Sequence, residues 1–89
     1  MTDSEIITYT FPGGMNNDSS GIVDKILFKL NQKIQKGEKL AQFSSGDYEM
    51  EMTAEKSGII IEIMVKENQK VNQNDKLWKI KTTHNTVYN

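Results

Sequence analysis

Four acidic side chains lie close together in the middle of the chain: Asp47, Glu49, Glu51 and Glu55. Carboxylates at this spacing can bind a divalent cation or act as a general acid and base. Residues 48–53, however, alternate between apolar and acidic types, which is the period of a half-buried strand. Glu49 and Glu51 are therefore expected on the solvent face, with the methionines between them facing inward. The pattern favours a solvated strand over a metal or catalytic site, and Asp47, in a turn, is expected to bond the backbone.

The remaining candidates for chemistry are few. The chain has no cysteine, which excludes disulfides, thiolate nucleophiles and thiolate metal ligands. Its one histidine, His84, lies in a polar tail, 81–89, that is expected to fray, so it cannot be held as a metal ligand or general base. Neither Gly13-Gly14 nor Gly46 precedes a predicted helix, so no phosphate-binding loop is indicated. We predict no catalytic residue and no metal site, and hence that the chain is not an enzyme.

Composition narrows the class of protein further. Eighty-nine residues form one domain with a modest core, and 36% hydrophobic residues with a net charge of -1 indicate a folded chain. Eleven basic residues against twelve acidic ones, with the lysines scattered, argue against nucleic acid as a partner. The start lacks a signal-peptide pattern, and the longest apolar stretch, residues 59–65, is too short to cross a bilayer. We expect a cytoplasmic protein with no membrane partner.

An internal repeat determines how these residues are positioned. Residues 21–43 align without a gap on residues 58–80, and nine of the 23 positions are identical. Each copy begins with a β-branched run and ends with a short apolar strand, and two turns lie between. The turns carry Asn or Gly, which tolerate left-handed backbone angles. The sequence therefore predicts positive φ at Asn31, Gly37, Asn68 and Asn74.

Two further strands are expected outside the repeat, at residues 6–11 and 48–53, and no segment has the 3.6-residue period of a helix. Ser44–Asp47 is a dense turn signal between the two copies. The fold class is therefore all-β: a flattened barrel or sandwich of seven or eight short strands with a pseudo-two-fold axis. We assign residues 1–89 to a single domain with its core at about residues 6–80.

This architecture resembles the biotinyl/lipoyl domain family, a barrel-sandwich hybrid that includes biotin carboxyl carrier domains, lipoyl domains and the glycine cleavage H-protein. The resemblance is carried by Gly21-Ile-Val, Lys36-Gly-Glu-Lys-Leu, Ala54-Glu-Lys-Ser-Gly58 and Val65-Lys-Glu-Asn-Gln-Lys-Val71. Asn68 stands where the family usually has glycine.

The resemblance implies an attachment lysine at the tip of the hairpin between the two halves, eleven residues before the glycine of the second copy. That position is Asp47, in Ser45-Gly46-Asp47-Tyr48, and no lysine lies between Leu40 and Glu55. The resemblance therefore implies that biotin or lipoate is not attached at the hairpin tip.

Candidate partner-binding residues follow from the same comparison, because in relatives the first loop lies near the hairpin and takes part in recognition. They are Gly13, Gly14, Met15, Ser45, Gly46, Asp47 and Tyr48. Trp78 is added because it replaces the small Ala41 of the first copy; core packing and a partner-binding anchor are both open to it.

Three functions are open. The first is an unmodified domain that binds or assembles a carboxylase, dehydrogenase or acyltransferase subunit. The second is a biotin or lipoyl carrier modified at an atypical lysine, and the third is a fragment of a longer protein such as a membrane-fusion adaptor.

Overall fold

The computed structural model describes residues 2–14, 19–82 and 84–85, and these contain strands and turns but no helix. Because β-branched and aromatic runs are separated by Gly, Asn and Ser turns, the chain forms short strands throughout. The strands are β1 Thr2–Asp3, β2 Ile6–Thr10, β3 Ser20–Ile26, β4 Lys33–Ile34, β5 Lys39–Ser45, β6 Tyr48–Thr53, β7 Gly58–Ile63, β8 Lys70–Asn72, β9 Lys76–Thr82 and β10 His84–Asn85.

Eight of these strands form two four-stranded antiparallel sheets. One has the order β2-β9-β7-β4 and the other has the order β6-β5-β3-β8. The predicted all-β barrel-sandwich architecture is confirmed. The remaining two strands, β1 and β10, pair with each other as a separate ribbon.

The two sheets are related by the predicted pseudo-two-fold axis. Strands β3, β4 and β5 correspond to β7, β8 and β9, and β6 corresponds to β2. The correspondence extends to the pairing register: Gly21 faces Val71 in one sheet, and Gly58 faces Ile34 in the other. The register shift after Val23 in β3 recurs after Ile60 in β7. The sequence repeat is therefore a repeat of hydrogen-bond geometry as well as of residue types.

The turns between the strands have the left-handed residues that the sequence predicts. The φ angles are 70° at Asn31, 71° at Asn68, 72° at Asn74 and 89° at Gly37. The backbone amides of Asn31 and Asn68 bind each turn to the opposite half of the domain. The Asn31 amide donates to Ile60 O at 2.8 Å, and the Asn68 amide donates to Val23 O at 2.6 Å. The prediction of positive φ at all four positions is confirmed.

One apolar core fills the space between the sheets. Both halves contribute to it, but unequally, because Trp78 lies where the first half has Ala41. The indole is fully buried and packs against Tyr9, Phe28 and Phe43, with ring centroids 5.6, 5.0 and 6.5 Å away. This burial removes Trp78 from the candidate partner-contact residues, because a side chain inside the core cannot touch a partner of the folded domain.

The ordered chain extends beyond the core boundary expected at residue 80. Strand β9 continues through Lys81 and Thr82, and the Thr82 side chain is buried. The Thr82 amide donates to Glu5 O at 2.8 Å, and the Glu5 amide donates to Thr82 Oγ1 at 3.1 Å. His84, expected in a fraying tail, lies in β10 opposite Asp3. Pairing with the start of the chain orders this segment, and residues 86–89 lie outside the described ones.

Candidate functional site

The hairpin between the two halves is closed by a two-residue turn. Strand β5 ends at Ser45 and β6 begins at Tyr48, and these two residues are paired. Gly46 has a φ of 61°, whereas Asp47 does not have a positive φ. This combination is typical of a type II′ turn, whose first central position favours glycine and whose twist matches antiparallel strands. The sequence Ser45-Gly46-Asp47-Tyr48 therefore forms a tight tip rather than a flexible loop.

Hydroxyl groups at the base of the hairpin bind it to the neighbouring strand β3. Ser45 Oγ donates to Ser20 O at 3.0 Å, and Ser44 Oγ donates to Asp24 Oδ1 at 3.0 Å. Ser45 is only 4% exposed. Its part in this region is to position the hairpin, because a buried side chain offers little contact area to a partner.

The exposed part of the hairpin is short and acidic. Gly46, Asp47, Tyr48 and Glu49 are exposed, and Tyr48 presents 45% of its surface to solvent. Within the described part of the chain, Asp47 and Glu49 make no ion pair, and the bond expected between Asp47 and the backbone is not formed. The tip therefore presents an aromatic ring beside two carboxylates.

The first loop runs from Pro12 to Ser19, and both of its described ends lie against the turn that follows β8. A β-carbon built on Gly13 would be 3.4 Å from the Gln73 side chain. The backbone amide of Gln73 donates to Ser19 O at 2.7 Å. The loop then joins β3 at Ser20, whose carbonyl binds Ser45. The loop exit therefore meets the base of the hairpin, whereas Gly13 lies beside Gln73. Gly14 is half-buried, and Met15 lies outside the described residues.

This loop is also where the two halves differ in length. Phe11 and Ala54 occupy equivalent places, since Phe11 bonds to Asp75 and Asn74 just as Ala54 bonds to Glu38 and Gly37. Nine residues separate Phe11 from the glycine that opens the first copy, but only three separate Ala54 from the glycine that opens the second. This longer segment ends at Ser20, the residue whose carbonyl binds the hairpin through Ser45.

Two residues of this region, Asp24 and Gln73, were not predicted from the sequence. Asp24 anchors the hairpin through Ser44, and Gln73 supports the first loop. Asp24 could have been found, because the second copy has the apolar Ile61 at the matching position. A charged residue that interrupts an otherwise apolar repeat position is a usable signal. Gln73 matches Lys36, and that polar pair carries no such signal.

The lysines nearest to the hairpin in sequence lie away from its tip. Lys39 begins β5, at the end of that strand opposite the turn, and pairs with Glu51 at 3.3 Å. Lys56 precedes β7 and pairs with Glu5 at 2.9 Å. A biotinyl or lipoyl group is joined to a protein through an amide to a primary amine. The residues at the tip, Gly46 and Asp47, supply no such amine and therefore do not fit either group.

The acidic residues of β6 lie as the alternation predicts. Glu49 and Glu51 are exposed, and the half-buried Met50 and Met52 pack against the core. Among residues 2–14, 19–82 and 84–85, no group of three or more acidic or histidine side chains has the arrangement of a metal site. The solvated-face interpretation of β6 agrees with this geometry.

The comparison with family models gives one match, and it covers most of the chain. The model for biotin and lipoyl attachment domains, described as "Biotin-requiring enzyme", matches residues 14–80. The chain belongs to the biotinyl/lipoyl domain family. Within that family it has the fold of a carrier-type domain.

Solved structures support the same fold for this biotinyl/lipoyl domain. The solution structure of the lipoyl domain of the 2-oxoglutarate dehydrogenase complex from Azotobacter vinelandii superposes with a TM-score of 0.73 at 24% identity. The match covers 83% of this chain and 94% of that domain. A search of curated proteins gave no match. In the described part of the biotinyl/lipoyl domain, no helix has the length and apolar character needed to cross a membrane.

Proposed function

We propose that this biotinyl/lipoyl domain is unmodified and non-catalytic, and that it acts as a protein-binding or assembly module. The observation that supports this proposal is the composition of the hairpin tip. The scaffold, the repeat and the tight turn are all retained, yet Asp47 stands where the resemblance to the family places the attachment lysine. A carboxylate cannot form the amide through which biotin or lipoate is joined.

The hairpin and the adjoining loop form the proposed docking surface. The tip offers Asp47, Tyr48 and Glu49 to a partner, and the hydrogen bonds from Ser44 and Ser45 hold it in place. A partly exposed tyrosine on a rigid turn supplies contact area at a small loss of conformational entropy. The partners we propose are subunits that normally bind carrier domains, namely a carboxylase, a dehydrogenase or an acyltransferase subunit, and the proposed location is cytoplasmic.

A specific variant makes the docking proposal testable. We expect affinity capture of the tagged protein from its native cells, read by mass spectrometry, to recover one such subunit. Replacing Asp47 and Tyr48 together by alanine should abolish that recovery. The matched control is Lys36→Ala, an exposed position in the turn between β4 and β5. Recovery that is unchanged in the hairpin variant would overturn docking through the hairpin.

The second candidate function is a carrier modified at another lysine. It is favoured by the family match, because members of this family carry a covalent group. Lys39 and Lys56 are the lysines nearest to the hairpin in sequence, and both are held in ion pairs with carboxylates. The intact mass of the protein from its native host separates the two candidates. A mass equal to that of the bare sequence supports the unmodified module, whereas the added mass of biotin or lipoate would establish the carrier.

A further inference from the structure

Strand β6 forms one free edge of the β6-β5-β3-β8 sheet. Among the described residues β5 is its only paired strand. Along a hairpin, residues that face each other alternate between pairs that exchange backbone hydrogen bonds and pairs that do not. The two-residue turn makes Ser45 and Tyr48 a bonded pair, so Met50 and Met52 also bond to β5. The amides and carbonyls of Glu49 and Glu51 therefore point away from the sheet.

The side chains beside this open edge differ between the two faces of the sheet. On one face Met50 and Met52 are half-buried and apolar, and beside Met52 lies a groove of about 320 Å³ that Ile7, Tyr9 and Pro12 also line. On the other face Glu49 and Glu51 are exposed to solvent. A strand added to this edge would place alternate side chains on these two faces.

We propose that the free edge of β6 binds an extended segment of a partner protein in which apolar and basic residues alternate. The apolar residues of that segment would lie against Met50 and Met52, and the basic residues beside Glu49 and Glu51. The proposal rests on the docking function proposed above and adds the chemistry of the partner segment, since the edge starts at the hairpin tip.

The charges of Glu49 and Glu51 favour a basic partner segment over a second copy of the chain. An antiparallel pair of two β6 strands would place Glu49 and Glu51 of one copy opposite those of the other, and like charges opposite each other are destabilising. Lys39, the one cation among the described residues that pairs with this face, is bound to Glu51 in an exposed pair that a partner can replace. The edge therefore repels its own copy and attracts a basic strand.

The pseudo-two-fold axis provides an internal comparison. The edge strand of the other sheet is β2, and Thr8 of β2 corresponds to Glu51 of β6, since Thr8 faces Lys79 where Glu51 faces Gln42. By the same register Ile6 corresponds to Glu49, and both Ile6 and Thr8 are neutral. Acidic residues are thus found on one of two equivalent edges, so the structural role of an edge strand alone does not account for them.

The test uses the whole protein and a capped peptide of alternating lysine and valine. We expect binding, followed by nuclear magnetic resonance, with slowed amide exchange at Glu49 and Glu51 in particular. A peptide N-methylated at alternate residues, and one with glutamate in place of lysine, should not bind. Equal binding of the N-methylated peptide, binding that maps to β2, or no binding at millimolar peptide would overturn the proposal.

Two variants sharpen this test. Glu51→Pro removes an outward amide that β5 does not use, and edge strands tolerate proline there; peptide affinity should fall at least about tenfold. Ile6→Pro, on the edge of β2 and outside the groove, is the control and should leave peptide affinity unchanged. Replacing both Glu49 and Glu51 by threonine, the residue type that β2 has at Thr8, removes both charges without a backbone change. This double variant should bind the peptide about threefold more weakly for each charge removed, and the remaining binding should no longer depend on salt concentration.

The same variants separate this proposal from the docking function. If the Asp47 and Tyr48 variant loses partner capture while Glu51→Pro captures the partner normally, docking at the hairpin stands and strand addition is overturned. If Glu51→Pro abolishes peptide binding while the hairpin variant captures its partner normally, the edge site stands and docking through the hairpin is overturned.

Discussion

Gly58 lies so close to strand β9 that a β-carbon built on it would stand 2.5 Å from the carbonyl oxygen of Lys81. At the equivalent Gly21 the nearest atom is Cζ of Phe11 at 2.7 Å, and the nearest carbonyl, that of Ser44, is 3.0 Å away. A side chain can shift further than the backbone of a central strand. The two glycines therefore differ in how much substitution they tolerate.

We predict that Gly58→Ala destabilises the domain more than Gly21→Ala does. Overpacking of this kind costs about 3 kcal/mol where the backbone must move and about 2 kcal/mol where a ring can shift. Urea unfolding measures both values. Equal losses at the two positions would contradict the view that the Lys81 carbonyl is the decisive contact.

The left-handed turn at Asn68 gives a second prediction. With a φ of 71°, Asn68→Ala should cost about 1 kcal/mol, because a β-carbon without a polar group disfavours this backbone region. Asn68→Gly should change the free energy of unfolding by less than about 0.5 kcal/mol. The control is Asn72→Ala in β8, where φ is not positive and the expected loss is small. If all three variants have the same stability, the turn angle is not limiting.

Trp78 gives a third prediction. Because the indole is fully buried against three aromatic rings, Trp78→Ala should cost about 4 kcal/mol in unfolding free energy, as measured by circular dichroism. Tyr48→Ala, at an exposed aromatic residue, should cost less than about 0.5 kcal/mol. In the wild type, the Trp78 fluorescence should resist quenching by acrylamide until the domain unfolds. Ready quenching of the folded protein would contradict burial of Trp78.

A fourth prediction concerns alkaline pH. Burial raises the pKa of Tyr9 above its usual 10.0, and the smaller effect of the hydrogen bond from the Glu55 amide at 3.0 Å lowers it. A raised pKa means that the folded state holds the proton more tightly. The resulting stabilisation is fully present below pH about 10 and is lost as pH rises through the folded-state pKa.

Tyr9→Phe tests this dependence. At neutral pH the variant should be about 1 kcal/mol less stable, because the Glu55 amide loses its acceptor. Above pH 10 the wild type should lose its advantage, so the two stability curves should converge. Tyr48→Phe, at an exposed residue, should change the free energy of unfolding by less than about 0.5 kcal/mol at neutral pH. If the stability curves of Tyr9→Phe and the wild type stay parallel above pH 10, a raised pKa of Tyr9 is contradicted.

The hairpin gives the fifth prediction. Asp47→Lys supplies an amine at the tip, but Gly46 and Tyr48 still differ from the local motifs of biotinylated and lipoylated domains. We expect this single variant to be a poor substrate for biotin and lipoate ligases, as measured by intact mass after incubation with ligase. Lys36→Arg provides a control for labelling at a turn outside the hairpin. Efficient labelling of Asp47→Lys would show that the flanking residues matter little.

Much of the fold could be predicted because the internal repeat determines most of the strands and turns. Asn31 and Asn68 could be predicted to have positive φ, since asparagine in two aligned turns has one physical explanation. The alternation of Glu49 and Met50 likewise gave the faces of β6 correctly. Both patterns involve residues that are close in sequence, so they can be recognised without knowing which strand pairs with them.

Other features depend on contacts between distant residues, and the sequence did not reveal them. For Trp78 the alternation favoured the core, but a surface anchor stayed open until its packing with Phe28 was known. The segment at His84 is polar, and only its pairing with Asp3 makes it a strand. Ser45 was expected on a binding surface, but its bond to Ser20, 25 residues away, buries it. Long-range pairing decided each of these cases.

The ribbon formed by β1 and β10 has a consequence for how this chain could be cut. Thr2 faces Asn85, so the first and last described strands run side by side where the other half has its Gly46-Asp47 turn. A circular permutant that joins these ends through a short linker and opens between Gly46 and Asp47 would keep every strand pairing described above. In such a protein the fold would persist while the tip became two free ends, so any binding that survived would not need the closed turn.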